Sequence, residues 1–131
     1  MKNNSSEISK IWFEKAENDL KTAHLLLKES GFPDTICYFS HQAVEKFLKG
    51  YLISKNVSPK RIHNLIVLSG EAEKYLPELK NCASEIASLN DYYIPSKYPV
   101  YPPVEYSKKD AEKALDDAET VTLAIKKNIS F

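Results

Sequence analysis

The sequence predicts an all-α fold, an antiparallel bundle of four to five helices, and three observations predict it. Apolar residues recur every three or four positions in segment after segment. No segment alternates with period two over a strand's length, and no Asn-Gly or Asp-Gly hairpin turn occurs. Pro33, Pro59, Pro77 and the cluster Pro95, Pro99, Pro102 and Pro103 divide the chain into five segments, four with plain helical spacing. At 131 residues this is one domain, with an ordered core expected over about residues 6–130.

The first helix is expected from about Glu7 to Ser30. Ile8, Trp12, Ala16, Leu20, Ala23 and Leu27 make one apolar stripe. Ser6 is its candidate cap, and Gly31 its stop. The second runs from Pro33, harmless in a first turn, to about Lys55. Ile36, Phe39, Ala43, Phe47 and Tyr51 form its apolar row. Gly50 costs roughly 1 kcal/mol against Ala inside a helix, and is best tolerated where another helix packs close. A third, about Asn64 to Leu76, is interrupted by Gly70. The fourth spans about Pro77 to Tyr93. The last, about Ser107 to Ile129, opens on a variant capping box of Ser107 and Asp110.

Composition excludes several classes. With 18 basic and 18 acidic residues the net charge is zero, so any nucleic-acid contact must come from a local patch. Cys37 and Cys82 give neither a disulfide framework nor a paired-cysteine metal motif, which suits a reducing compartment. The polar N-terminus has no apolar signal region, and no run approaches the ~18 apolar residues of a membrane span. The expectation is a cytoplasmic protein without membrane contact. There is no Gly-rich phosphate loop, HExxH or GxSxG motif, and no metal or other cofactor is expected.

Three features carry chemistry. On the second helix, at about 100° per residue, Tyr38, His41, Gln42, Glu45 and Lys49 share one face, with Lys46 beside them. The i,i+4 pairs His41–Glu45 and Glu45–Lys49 suit either a solvated face or a polar cleft that holds a base or phosphate. Between Glu45 and Glu71 there is no acidic residue, while Lys46, Lys49, Lys55, Lys60, Arg61 and His63 make a basic zone. That zone serves helix-dipole complementation or phosphate contact. The connection Asp91–Tyr106 holds five of the eight tyrosines, with Lys97 among them. They either lie against the bundle or a second subunit, or stack on bases.

Taken together, WFEKAENDLKTAHLLL (12–27), CYFSHQAVEKFLKGYLI (37–53), KRIHNL (60–65) and NDYYIPSKYP (90–99) resemble the prokaryotic HEPN domain over nearly the whole chain. The resemblance implies a dimerising bundle, often paired with a minimal nucleotidyltransferase in modules similar to toxin–antitoxin systems. Many such domains are metal-independent ribonucleases that use an Arg followed, after four to six residues, by His. Here Arg61 is the only arginine, and Ile66, Val67 and Leu68 stand where that His would be. Counting from Lys97 instead gives Pro102, Pro103 and Val104.

The reading is therefore a non-catalytic or weakly catalytic domain that binds a nucleotide or RNA, with no catalytic residue assigned, because the family's cleavage motif is not found. It is expected to form a homodimer or to pair with a nucleotidyltransferase. The binding residues expected are His41, Glu45, Lys46, Lys49, Arg61, His63 and Lys97. A ribonuclease toxin that uses His41 or His63 differently, and a pure assembly module, are the rivals. Trp12, Phe13 and Tyr51 are expected to supply the aromatic surface for assembly.

Overall fold

The computed structural model describes residues 4–129; Met1–Asn3, Ser130 and Phe131 lie outside the described residues, and with Ser130 the end of the expected core. Among the described residues there are six α-helices, one 3-10 helix and no strand. The α-helices are α1 (Ser5–Lys28), α2 (Pro33–Ser54), α3 (Leu65–Ala72), α4 (Ala83–Asn90), α5 (Tyr93–Lys97) and α6 (Lys108–Lys126). The 3-10 helix, Pro77–Cys82, leads into α4. No helix among them is long and apolar enough to cross a membrane.

Local chemistry sets the ends. α1 starts at Ser5, and its N-cap is Asn4, two residues before the expected Ser6, with no side-chain capping bond. It stops where Ser30 turns left-handed (φ 57), and Gly31 N–H then reaches back to the Leu26 carbonyl. α2 ends in the same way, with Asn56 at φ 61 and Val57 N–H on the Leu52 carbonyl. Asn64 caps α3 by accepting from Ile66 and Val67 N–H. The Ser107–Asp110 capping box forms in full.

The four residues 29–32 turn the chain back, so α1 and α2 lie antiparallel. Phe13 stacks on Phe47 with ring centroids 5.6 Å apart, while further along Asp19 meets Lys46. α6 crosses both helices, joined to α1 by ion pairs Lys126–Glu17 and His24–Glu119. α2 touches all five other α-helices. Thirteen of its 22 residues are buried, so it has no continuous solvent face and runs as the axis of the bundle.

Two expectations change in consequence. Phe13 and Tyr51, expected at an assembly surface, are buried in the chain's own core because α1 and α2 close on each other; Trp12 is half-buried. The tyrosine-rich connection, expected to run irregularly, contains α5. Tyr93 is buried there, and Tyr92 and Tyr106 pack on the core, whereas Tyr98 and Tyr101 stand exposed.

The glycines α2 and α3 carry obey opposite rules. A Cβ on Gly50 would lie 2.9 Å from the Phe13 ring and 3.0 Å from Trp12 Cβ, so α1 can approach only because it is absent. A Cβ on Gly70 would meet nothing within 4 Å. Gly50→Ala should lower stability by about 1–3 kcal/mol despite its better helix propensity. Gly70→Ala should raise it by up to about 1 kcal/mol. Urea unfolding of both variants checks the pair; equal shifts of one sign would contradict the packing described.

Candidate functional site

The polar face of α2 is covered by the loop between α2 and α3 and by α5. His41 is fully buried, and Glu45 and Lys49 are 4% and 7% exposed. A carboxylate so placed must be paired to stay charged. Glu45 accepts from Lys49 Nζ at 3.0 Å through one oxygen and from His63 Nδ1 at 2.9 Å through the other. Lys49 in turn sits 5.9 Å from the centroid of the Trp12 ring.

One turn earlier on α2, His41 holds the same loop by its backbone, through Nε2 and the His63 carbonyl at 3.0 Å. A carbonyl only accepts, so Nε2 carries the proton and Nδ1 is the acceptor. Gln42 lies 3.3 Å from Nδ1, and the amide orientation that presents its NH₂ completes the bond. Burial pushes the His41 imidazole below its ordinary 6.5, against smaller opposing pulls from the Glu45 carboxylate and the His63 carbonyl. Asn90 anchors the chain two residues on, its Oδ1 accepting from Leu65 N–H at 2.8 Å.

His63 is thus fixed twice from α2, at its carbonyl and at Nδ1. Glu45 is an acceptor, so Nδ1 bears the proton and Nε2 is the free edge of a side chain 51% exposed. The imidazole stacks on Tyr93, centroids 4.3 Å apart and planes within 14°. Tyr93 also carries Lys97 one turn along α5, whose Nζ donates to the Tyr93 hydroxyl at 3.1 Å. The ammonium lies 5.2, 5.9 and 5.3 Å from the ring centroids of Tyr93, Tyr38 and Tyr98. The Tyr93 hydroxyl holds its pKa above the ordinary value. Tyr98 is extended, as the residue before a proline must be, and this ends α5 beside Lys97.

Five of the seven expected residues therefore meet: His63 and Lys97 on the surface, with Glu45, His41 and Lys49 behind them. Lys46 is elsewhere. One residue on from Glu45 is about 100° around the helix, and it faces α1, where it binds Asp19 at 2.6 Å. Arg61 is exposed on the loop with no ion pair among the described residues, while neighbouring Lys60 pairs with Glu71 at 3.0 Å. Sequence reasoning passed over Tyr93 and Asn90, which do the joining. The i,i+4 spacing of Tyr93 and Lys97 was the available signal for the first. Cys37 is buried, its thiol pushed up to about 12 chiefly by burial, and no metal-binding cluster is formed among the described residues.

Comparison with known proteins gives the family of this chain. A model of the HEPN domain matches residues 9–129. The chain belongs to the HEPN domain family. It is 34% identical over 131 residues to the protein named "Putative toxin MJ1304" of Methanocaldococcus jannaschii, covering 90% of this chain and 86% of that one. Among solved structures, TT1696 from Thermus thermophilus shares the fold with a TM-score of 0.83 at 24% identity, over 92% of this chain and 98% of that one. ST0689, an archaeal HEPN homologue, superposes with a TM-score of 0.69 at 25% identity, over 99% and 100% of the two chains. In this HEPN domain the polar groups on α2 are turned inward to hold a loop, and His63 and Lys97 are what they present.

The buried His41 makes a pH prediction. With its folded pKa lowered, the unfolded chain takes up a proton at the higher pH. The stability that neutral His41 contributes is fully present above about pH 6.5 and is lost as the pH falls through that value toward the lower folded one. His41→Gln keeps a donor for the His63 carbonyl and removes the titration. The fall in thermal midpoint from about pH 7 to about pH 5 should be shallower in the variant than in the native chain. An unchanged slope would assign the effect to other groups.

Proposed function

We propose that this HEPN domain binds single-stranded RNA or a nucleotide, with a phosphate held between Lys97 and His63. The observation that carries the reading is Tyr93, whose ring stacks on the His63 imidazole and whose hydroxyl accepts from the Lys97 ammonium. Neither Lys97 nor Arg61 has a carboxylate partner among the described residues, so both keep their charge for a ligand. In a chain of zero net charge this local excess is what attracts a phosphate. Exposed Tyr98, and Tyr38 beside it, offer ring faces for a neighbouring base. Lys46 and Lys49 hold Asp19 and Glu45, and serve structure instead.

A second reading, RNA cleavage without metal, is favoured by one feature: the 2.9 Å bond that leaves His63 Nε2 as an outward proton acceptor. His63 takes the proton of a ribose 2′-hydroxyl, and that oxygen attacks the adjacent phosphorus. The 5′-oxygen leaves and is protonated by solvent, and a 2′,3′-cyclic phosphate remains. Such a base contributes about 10²–10⁴-fold. The toxin name of the Methanocaldococcus relative accords with this reading.

Self-association, or pairing with a minimal nucleotidyltransferase, belongs to the same proposal. Exposed Ile8 and Ile11 on α1, and Ile66 and Val67 beside the His63 loop, support it. Sedimentation equilibrium should show a dimer; monomer alone, with no capture of a nucleotidyltransferase, would remove this part.

Binding is tested by fluorescence anisotropy of a labelled single-stranded oligouridine. Affinity should fall with salt at a log–log slope of about −0.7 for each phosphate contacted. The double variant His63→Ala/Lys97→Ala should bind about tenfold or more weakly, and Arg61→Ala should flatten the slope. Unchanged binding by the double variant would move the site elsewhere. In the same samples with a chelator present, cyclic-phosphate product that His63→Ala abolishes would establish the cleavage reading, and intact RNA would remove it.

A further inference from the structure

Beyond Lys97 the cleft continues along α2 toward its start. A groove of about 420 Å³ is lined by Asp34, Ser96, Lys97, Tyr98, Pro99 and Pro103, among others. A smaller one of about 210 Å³ adjoins it, lined by Thr35, Tyr38, Ser96 and Lys97. Asp34 and Tyr38 are one turn apart on the same face of α2. Lys97 is the wall common to both grooves and to the His63–Tyr93 site.

The charges in this groove are arranged unusually. Asp34 and Lys97 line it together, yet form no ion pair with each other. Asp34 makes no hydrogen bond or ion pair through its carboxylate among the described residues. Two opposite charges held apart across one groove fit a ligand that is anionic at one end and rich in N–H donors at the other. The same groove is walled by flat surfaces, the Tyr98 ring and Pro95, Pro99 and Pro103, with the Tyr38 ring in the adjoining one, and these suit a planar group. A nucleotide has all three parts.

The base follows from the chemistry of a carboxylate, which only accepts and presents two oxygens side by side. Guanine alone among the four common bases offers two adjacent donors on its pairing edge, the ring N1–H and the 2-amino group. Adenine and cytosine place a ring acceptor beside their amino group, and uracil flanks its single N–H with two carbonyl oxygens. Both arrangements set a lone pair against the carboxylate. We propose that this groove selects guanine, with Asp34 reading the pairing edge while Lys97 holds the neighbouring phosphate. The assignment rests on the nucleotide-binding reading above and adds Asp34 to it as the specificity-determining residue.

The test compares four labelled pentanucleotides, UUGUU, UUAUU, UUUUU and UUIUU, the last carrying inosine, which lacks only the 2-amino group. UUGUU should bind the native chain about tenfold more tightly than the other three, as loss of one charge-assisted hydrogen bond requires. Asp34→Asn should bring UUGUU to the level of the others and leave UUUUU within about twofold. Lys97→Ala should weaken all four alike and keep their ratio. Asp34 is on the surface of the first turn of α2, and an unchanged far-UV spectrum verifies that the Asn variant is folded. Equal binding of the four by the native chain, or a guanine preference intact in Asp34→Asn, overturns the assignment and leaves the phosphate site standing. Failure of all four to bind brings down both. Competition with unlabelled GMP separates the sources of guanine. Displacement at concentrations comparable with unlabelled UUGUU identifies a free nucleotide, and displacement by the oligonucleotide alone identifies a strand; either result keeps guanine in the groove.

Discussion

The carboxylate of Glu45 lies in the middle of the most enclosed helix of the bundle, and the candidate site is organised by what it needs. A charge taken out of water at that depth would cost several kcal/mol if left alone. One oxygen is satisfied locally by Lys49, a turn further on, and the other from outside the helix by His63. The second contact ties the loop between α2 and α3 to the axis of the fold. His41 adds the backbone contact, Tyr93 stacks on the captured ring, and α5 is brought in with Lys97. Each step places the next group, so a single buried acid determines where an imidazole and an ammonium meet the solvent.

Much of the fold was legible in the sequence because its signals are local. Pro33 in the first turn of α2, the Ser107–Asp110 box and the three-to-four spacing of apolar residues depend on near neighbours only. The close approach of α1 at Gly50 could be read in the same way. The 3-10 helix before α4 could not, since its apolar residues Leu79 and Cys82 fit either spacing. α5 is five residues long with a proline inside it, too short to stand by propensity alone. It exists because Tyr93 is buried against α2, which no local pattern announces.

The site was legible in its residues and obscure in its depth. His41, Glu45 and Lys49 share a face by periodicity, but whether that face meets water or protein depends on a loop that arrives from twenty residues away. Lys46 looked equivalent to Lys49 in charge and nearness; the rotation of the helix by one residue gives it to Asp19 instead. The absence of an Arg…His pair at the family's spacing says nothing about His63, whose partner is a carboxylate and whose neighbouring cation comes from α5. Here the loop imidazole and the α5 ammonium come from residues far apart in sequence, and one tyrosine joins them.

The empty space around Gly70 has a practical consequence. It lies on α3, which begins just after the His63 loop, and a side chain there meets no neighbour. The only native thiols, Cys37 and Cys82, are buried and held in the unreactive protonated form, Cys37 with a pKa of about 12. A cysteine introduced at position 70 would thus be the one thiol that a maleimide or a nitroxide reagent reaches. A fluorophore or spin label placed there would sit outside the packed interior, on the helix that follows the His63 loop, and would report changes in its surroundings as an optical or magnetic signal.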